Sequence, residues 1–468
     1  MKNVFVYSLL LIAYCCMQTS CKKDSFITSN EARVNITVDS LKYDTVFTTT
    51  GSITKSFKII NENNQKLLLN KVKLMGGATS AYKINVDGTP TIEANNIEVA
   101  ANDSIYVFVS VTINPTATNL PFIVSDSIQV NYNGNNRYVQ LQAFGQNAIF
   151  LRNQTINSNT IWSNTKPYVI LDGLKIATNT TLTIPQGTKI YCHANAPILV
   201  DGTLLVNGTK DNEVVFAGDR LDENYKDLPA SWPGIYFREF SKDNVLQFAI
   251  VKNAYQAVVA EQPSVNANPK LILQQCIIDN SYKEGLLCVN TNVQANNCLI
   301  SNCGNNVFIS YGGNYTFTNN TVATFSNKYI THKNEVLGIA NFINASSGIL
   351  TANLNAVFRN NIFWGDNGFV DNEVVTVKQG STTFNVLFEN NLYRNLTAPA
   401  NATLTNNITN QNPQFDSVDV GKHIFNFRIT KDVAAPGINK GQAVLFLKDL
   451  DDRARSVGLP DIGCYEKQ

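Results

Sequence analysis

The sequence predicts an all-β protein made of two successive kinds of β-structure. Three observations lead to this fold class. The composition is skewed toward Asn, Thr, Val, Ile and Phe, whereas Met and His occur only three times each. Residues 34–147 contain short strands of alternating polarity, and residues 149–468 contain a repeat of about 22 residues. The length of 468 residues also favours more than one domain.

The first element is an N-terminal leader, residues 1–20. Lys2 precedes an apolar run, residues 4–16, which is shorter than the roughly 20 residues of a transmembrane helix and is typical of a signal peptide. The segment Met17-Gln18-Thr19-Ser20 before Cys21 resembles the lipobox of bacterial lipoproteins. This resemblance implies cleavage before Cys21 and lipidation of that cysteine, so membrane lipid is an expected partner.

A short tether, residues 21–33, follows the leader. Its start, Lys22-Lys23-Asp24, resembles the Lys-plus-acid export signal of bacteroidete-type surface lipoproteins. The tether reaches at most about 40 Å when it is fully extended. We therefore expect a protein that is lipid-anchored in the outer membrane and faces the extracellular side. The net charge of +1 and the charged fraction of 16% predict no nucleic-acid partner.

Residues 34–147 are predicted to form about seven short strands. Residues 104–111 place apolar side chains on one face, and Asn133-Gly134 separates two alternating strands, which is the strongest short-range signal for a hairpin. The pattern resembles an immunoglobulin-like β-sandwich. No residue of this segment suggests chemistry, so we expect it to act as a spacer.

An Asn pair before a short apolar strand recurs in the rest of the chain. Copies begin at Asn296, Asn319, Asn360 and Asn390, after an earlier Gln274-Gln275 copy, and the spacings are 22, 23, 41 and 30 residues. Units this short cannot bury their own apolar face, so they are predicted to coil into a right-handed parallel β-helix with turns about 4.8 Å apart. The asparagines at one corner should adopt left-handed backbone geometry and form a ladder.

Several segments carry a family resemblance. Residues 181–191, 199–209, 214–216 and 232–237 resemble the first turns of right-handed β-helix lipoproteins of the pectate-lyase-like superfamily. Residues 460–466 are similar to the DIGAYE end of many bacterial β-helix proteins, with Cys464 in place of Ala. The resemblance covers about residues 150–468 and implies the fold. It implies no activity, because this architecture carries lyases, hydrolases, adhesins and stalks. The charged residues at 449–461 are expected to form a polar cap on the open end of the helix.

The candidate catalytic residues lie in one polar loop. A lyase needs a base, often Arg or Lys, and groups that neutralise a uronate carboxylate. Such residue types are present at Asp219, Arg220, Asp222, Glu223 and Asp227. The alternative is that these side chains are only solvated. We predict no metal or other cofactor, and calcium at acidic residues is the alternative left open.

Other residue types suggest contacts or modification. Aromatic rings at Tyr225, Trp232 and Trp364 could stack on sugars, or could fill the core. Asp-Ser or Asp-Thr before an apolar residue resembles the O-glycosylation signal of this bacterial group, and strand starts also produce the pattern. The acceptors would be Ser40, Thr45, Ser104, Ser127 and Ser417.

The β-helix region contains six cysteines without metal-site spacing. We expect stacked, buried thiols, and a disulfide of Cys298 with Cys276 or Cys303 is the alternative.

The function predicted from these features is non-catalytic binding or presentation of a glycan or a surface protein. The alternatives are a polysaccharide lyase or glycoside hydrolase and a structural surface stalk. An enzyme should bring acids with Arg or Lys from several turns into one groove. A binding protein should show an aromatic-lined groove without that convergence.

Overall fold

The computed structural model describes residues 25–48, 51–115, 122–366, 368–429, 434–445, 447–455 and 458–467. The leader, Cys21 and residues 22–24 lie outside the described residues. The chain divides into two compact units, Met1–Asn147 and Ala148–Gln468. Apart from one 3-10 turn, Gly77–Thr79, the regular elements of the described ranges are strands. No helix in those ranges has the length and apolar content needed to cross a membrane.

The first unit contains eleven described strands, and ten of them lie in residues 34–147, where about seven were predicted. They are β1 (Phe26–Ile27), β2 (Val34–Ile36), β3 (Ser40–Phe47), β4 (Lys55–Asn61), β5 (Lys66–Leu74), β6 (Tyr82–Val86), β7 (Thr89–Thr91), β8 (Glu93–Val99), β9 (Ser104–Val111), β10 (Phe122–Tyr132) and β11 (Asn135–Gln146).

The strands of the first unit form two sheets around one hydrophobic core. One sheet has the order β1-β5-β10-β11-β3, with β8 also paired to β5, and the other has the order β2-β4-β9-β6-β7. Buried side chains of both sheets, such as Phe57 and Val130, belong to the same cluster. The predicted hairpin is confirmed, since Tyr132 pairs with Asn135 and both turn residues, Asn133 and Gly134, have positive φ.

The second unit consists mainly of strands that pair in parallel with strands one turn later. The strands are β12 (Ile149–Ile156), β13 (Thr160–Ile161), β14 (Tyr168–Ile176), β15 (Thr181–Pro185), β16 (Lys189–Cys192), β17 (Ile198–Val200), β18 (Thr203–Asn207), β19 (Val214–Gly218), β20 (Ile235–Phe237), β21 (Asn244–Gln247), β22 (Ala249–Lys252), β23 (Val258–Glu261), β24 (Leu271–Gln274), β25 (Ile277–Asp279), β26 (Glu284–Asn296), β27 (Leu299–Ser301), β28 (Asn305–Thr318), β29 (Thr321–Thr324), β30 (Leu337–Ala340), β31 (Phe342–Ala345), β32 (Gly348–Thr351), β33 (Leu354–Arg359), β34 (Ile362–Gly365), β35 (Val374–Val377), β36 (Phe384–Glu389), β37 (Leu392–Tyr393), β38 (Thr403–Thr405), β39 (Ile408–Thr409), β40 (Ser417–Asp419) and β41 (Ile424–Asn426).

Strands β12–β39, without the β31–β32 hairpin, form a sheet of 26 strands. Its pairing is compatible with the predicted β-helix, and we call this part the coil. Face A contains β16, β19, β22, β25, β27, β29, β34, β37 and β39. Face B contains β17, β20, β23, the first halves of β26 and β28, β30 and β35. Face C contains β15, β18, β21, β24, the second halves of β26 and β28, β33, β36 and β38.

The asparagine corner between faces C and A explains the recurrent Asn pair. The residue that turns this corner has a left-handed backbone, with φ between 52° and 55°, at Asn297, Asn319, Asn360, Asn390 and, one turn later, Asn406. It is the first residue of its pair except in Asn296-Asn297, where it is the second. The next residue joins a buried ladder, in which Asn391 Oδ1 accepts hydrogen bonds from the backbone N–H and the Nδ2 of Asn361, both at 2.9 Å. The predicted ladder is confirmed. In the pairs that begin at Asn319, Asn360 and Asn390, the first asparagine has the left-handed backbone and the second forms the ladder hydrogen bonds.

One predicted spacing was wrong by a residue. The structure pairs Leu299 with Thr321, so this step is 22 residues long rather than 23, and Cys298 takes the ladder position of Asn320. Its backbone N–H donates to Asn320 Oδ1 at 2.8 Å. All six cysteines of the second unit are buried and free.

The described residues of the C-terminal segment, 411–429, 434–445, 447–455 and 458–467, include several that pack against the side of the coil. Its residues Leu450, Cys464 and Tyr465 pack against Leu299 and Ala323 of face A. Asp449 and Asp461 of the predicted polar cap accept hydrogen bonds at the corner between faces C and A, from the side chains of Gln275 and Asn319, and an end cap stays a prediction. Some apolar side chains of face A point away from the core of the coil. The C-terminal segment covers them and so removes their surface from water.

Candidate functional site

The polar loop with the candidate catalytic residues is internally paired. Arg220 Nε lies 2.9 Å from Asp222 Oδ2, and its guanidinium lies 3.9 Å from the centre of the Tyr225 ring. Lys226 Nζ contacts Glu223 Oε2 at 2.7 Å. The backbone of the loop is held by the coil, because the amide of Asn280 donates to the Asp227 carbonyl at 2.8 Å.

The protonation of Arg220 does not suit a catalytic base. Partial burial alone would lower the pKa of its guanidinium, but the hydrogen bond and charge of Asp222 outweigh this effect and raise the pKa. A proton-abstracting Arg needs a lowered pKa instead. The Arg220–Asp222 pair therefore favours a structural role for this loop.

Polar residues of successive turns do meet at the corner between faces A and B. Asp219 Oδ2 lies 2.7 Å from His193 Nδ1. One turn earlier, Asp172 accepts hydrogen bonds from Asn195 at 2.9 Å and from Arg152 at 2.5 Å, and these contacts lower its pKa. Each of these carboxylates already has a partner, and the groups lie largely on the surface.

Two of the three candidate sugar-stacking aromatics are in the interior. Trp232 has no exposed surface, because its ring lies in the core of the coil and its indole N–H donates to the Lys252 carbonyl at 2.9 Å. Trp364 is buried beneath the C-terminal segment, beside Ile462. Of the two alternatives left open for these rings, sugar stacking and core filling, their burial corresponds to core filling. Tyr225 is 40% exposed, and Arg220 lies over its ring.

The candidate glycosylation acceptors occupy different positions in strands. Ser40, Ser104 and Ser417 are the first residues of β3, β9 and β40, whereas Thr45 and Ser127 lie inside β3 and β10. The acidic residue of the triplet has a local role at two sites, because Asp103 and Asp126 accept the backbone N–H of the following serine at 2.7 Å.

A groove on face C offers a recess for an extended ligand. Its volume is about 470 Å³, and its lining is neutral throughout: Ala267, Pro269, Asn292, Val293, Gln294, Asn314, Tyr315, Thr316, Asn355 and Val357. The floor is the parallel sheet of β26, β28 and β33. The wall is the segment 262–270, which connects face B to face C.

An exposed amide ladder runs along this floor. Asn314 Nδ2 donates to Asn292 Oδ1 at 3.0 Å, Asn355 donates to Asn314 at 3.0 Å, and Asn385 donates to Asn355 at 2.9 Å. A side-chain amide has two N–H groups and an oxygen that accepts two hydrogen bonds. Each interior amide of the ladder therefore keeps one N–H and one acceptor position for a ligand.

The wall of the groove is fixed by a buried lysine. Lys270 Nζ donates to the carbonyls of Arg238, Glu239 and Glu261 at 2.8, 3.0 and 2.8 Å. Burial lowers the pKa of Lys270 to about 8. Asn266 and Asn268 also bind the carboxylate of Asp243. The recess is thus formed before a ligand arrives, which reduces the entropic cost of binding.

The sequence analysis did not identify the asparagines of the groove floor, although their spacing repeats along the chain. Asn292, Asn314, Asn355 and Asn385 follow one another at 22, 41 and 30 residues, the same steps that separate Leu299, Thr321, Ile362 and Leu392. The groove also differs from the aromatic-lined groove expected of a binding protein. Its one aromatic residue, Tyr315, is buried and donates its hydroxyl to the Gly312 carbonyl.

The described residues contain no group of three or more His, Cys, Asp or Glu side chains that could hold a metal ion. Within the part of the chain that the structure describes, the acidic residues near 219–227 and 449–461 thus form no such group.

Comparisons with known proteins give little similarity. No protein-family model and no curated protein matches the chain. A family 123 glycoside hydrolase from Clostridium perfringens is 10% identical, with a TM-score of 0.18, over 24% of this chain and 25% of that chain. The catalytic unit of a GH87 α-1,3-glucanase from Streptomyces thermodiastaticus is 10% identical, with a TM-score of 0.26, over 75% of this chain and 88% of that chain. The chain thus spans about a quarter of the first enzyme, and neither likeness is strong enough to carry an argument.

Proposed function

We propose that the coil binds an extended, neutral glycan in the face C groove and does not cleave it. The observation that carries this proposal is the ladder Asn292–Asn314–Asn355–Asn385 in a groove with no ionisable group suited to chemistry. Adjacent rungs lie about 4.8 Å apart, so they offer repeated donors and acceptors to the repeated hydroxyls of a polysaccharide.

The neutral lining also indicates the class of glycan. A uronate chain carries one carboxylate per residue, and its binding usually requires cations or basic side chains. The lining residues of the groove include no Lys or Arg. Neutral hexose or pentose polymers are therefore the expected ligands, and a polysaccharide lyase becomes the less favoured reading.

The proposal includes a location for this activity. The leader and Cys21 support a lipoprotein of the bacteroidete type, anchored in the outer membrane and facing outward. In this reading residues 34–147 are an immunoglobulin-like spacer, and the coil is a right-handed β-helix. Mass spectrometry of the mature N-terminus tests the anchor: diacyl or triacyl Cys21 is expected, and an unmodified first residue would contradict it.

A glycan array combined with product detection tests the function. The array should include neutral glucans, mannans, xylans and galactans, together with pectate and alginate as uronate polymers. Binding to a neutral polymer without any release of oligosaccharide is expected. Release of reducing ends would support a hydrolase, and unsaturated uronate products would support a lyase; either result would contradict the proposal.

A further inference from the structure

Two exposed tyrosines form a stacked pair at the corner between faces A and B. The rings of Tyr255 and Tyr282 have centroids 5.9 Å apart and planes 21° apart. They are 37% and 53% exposed. Pro233 lies one turn before Tyr255, because Gln256 N–H donates to its carbonyl at 3.0 Å. The corner thus carries ring side chains on three successive turns, Pro233, Tyr255 and Tyr282.

On the next turn of the coil, no ring side chain follows Tyr282 in this row. The backbone N–H groups of Gly304 and Asn305 donate to the carbonyls of Ser281 and Lys283 at 3.0 Å, so the chain around Gly304 passes directly beside Tyr282. The residue before Gly304 is Cys303, whose side chain is buried in the core. Gly304 itself has no side chain. The ring face of Tyr282 that points away from Tyr255 therefore has no ring from the next turn against it.

The backbone maintains this opening. A Cβ atom on Gly304 would lie 2.3 Å from the carbonyl oxygen of Tyr282, which no real Cβ contact allows. Any side chain at this position would force the two turns apart. Glycine is thus required by the close approach of the backbones, and the opening beside Tyr282 is a fixed feature of the coil.

One polar side chain, Asn334, lies beside the open ring face, and the charged side chains of Lys283 and Glu284 contact the preceding turn of the row. The amide of Asn334 reaches this corner and donates to the Gly304 carbonyl at 2.8 Å. Lys283 lies next to Tyr282 in the chain, and its Nζ is 5.3 Å from the centre of the Tyr255 ring. Glu284 accepts a hydrogen bond from Gln256 at 2.7 Å. An aromatic face with a polar group beside it matches a pyranose, which has an apolar C–H face and a ring of hydroxyls.

We propose that this opening is a second carbohydrate site, in which one hexopyranose residue stacks on Tyr282 as the next ring of the row. Asn334, whose amide reaches the turn of Gly304, is placed to contact its hydroxyls. An aromatic side chain of a partner protein fits less well, because it would leave the Asn334 amide without a further hydrogen bond. The site lies on a different corner from the face C groove and does not depend on it.

Saturation-transfer difference NMR on the intact protein tests this site. The probes are the methyl α- and β-pyranosides of glucose, galactose and mannose, with N-acetyl-tryptophan amide as the competing flat ligand. At least one glycoside is expected to show signals concentrated on the C–H groups of one ring face. Tyr282→Ala should weaken that signal at least tenfold, whereas Tyr282→Phe, which keeps the ring, should retain most of it.

Two control variants separate this site from the rest of the molecule. Tyr138→Ala removes an exposed tyrosine of the first unit, and Asn314→Ala alters the face C groove. Neither should change the signal that depends on Tyr282. An equal signal in wild type and Tyr282→Ala, no signal from any glycoside, or a Tyr282-dependent signal from the tryptophan amide alone would each overturn the proposal. Thermal unfolding of Tyr282→Ala checks that the variant is folded.

Discussion

The guanidinium of Arg455 lies 2.9 Å from the carboxylate of Glu466, and both side chains are almost fully buried. Arg455 also donates to Asn297 Oδ1 at 3.0 Å and to the Gly463 carbonyl at 2.8 Å. Asn297 belongs to the asparagine corner, so this ion pair joins the C-terminal segment to the coil. Burial raises the pKa of Glu466 to about 7, even though Arg455 acts in the opposite direction.

Removal of Arg455 should therefore destabilise the second unit strongly. Arg455→Ala leaves the Glu466 carboxylate and the Asn297 amide without their partner, and breaking a buried ion pair in this way costs about 3–5 kcal/mol. Chemical denaturation measures the loss of free energy of unfolding. Arg453→Ala, an exposed arginine of the same segment, should change it by less than about 0.5 kcal/mol. Equal effects of the two substitutions would contradict this assignment.

The buried and exposed asparagine ladders should differ in their contribution to stability. Asn361→Ala removes an acceptor for the backbone N–H of Asn320 and a donor to the Phe317 carbonyl. Two buried backbone groups are then unpaired, which costs roughly 3 kcal/mol in total. Asn385→Ala removes one exposed hydrogen bond and should cost less than about 1 kcal/mol. Urea unfolding of the two variants side by side makes the comparison, and a larger loss for Asn385→Ala would contradict it.

The sequence predicted the coil well and the site poorly, for a physical reason. A ladder residue such as Asn361 recurs at a fixed corner, and recurrence is visible in a one-dimensional pattern. The burial of Trp364 involves residues about 100 positions away, because Ile462 belongs to the same buried cluster. The opening beside Tyr282 also depends on Gly304 of the next turn, which has no side chain. Such relationships arise only when the turns are stacked.

A buried histidine should make stability depend on pH. His332 Nδ1 lies 2.7 Å from Asp366 Oδ1, and its Nε2 lies 3.1 Å from Glu373 Oε2. Burial alone would lower the pKa of His332, but the two carboxylates outweigh it and raise the pKa to about 9. Arg394 contacts the other oxygen of Glu373 at 2.6 Å.

The sign of the pH effect follows from this raised pKa. The stabilising contribution of His332 is complete below pH 6.5, its unfolded value, and is lost as the pH rises through 9. The loss amounts to at most about 3 kcal/mol. Unfolding free energies measured from pH 6 to 9.5 should therefore fall more steeply for wild type than for His332→Gln. The exposed His193→Gln should follow wild type, and parallel curves for wild type and His332→Gln would contradict the assignment.

The six cysteines of the second unit should be unreactive until the protein unfolds. They are buried and free, and burial raises the pKa of Cys303 and Cys464 to about 12. A thiol reagent under native conditions should label none of the six. After unfolding without a reductant it should label all six, as counted by peptide mass spectrometry. A pair that becomes reactive only after reduction would indicate a disulfide instead.

The most direct test of the proposed function is the affinity of three proteins for the neutral glycan that the array identifies. Wild type is compared with Asn314→Ala, in the centre of the exposed ladder, and with Asn207→Ala, an exposed asparagine of face C outside the groove lining. Isothermal titration at low and high salt should show binding that is weakened at least tenfold by Asn314→Ala, unchanged by Asn207→Ala and insensitive to salt, because no charges are paired. Unchanged affinity in Asn314→Ala, or binding that disappears at high salt, would contradict the account.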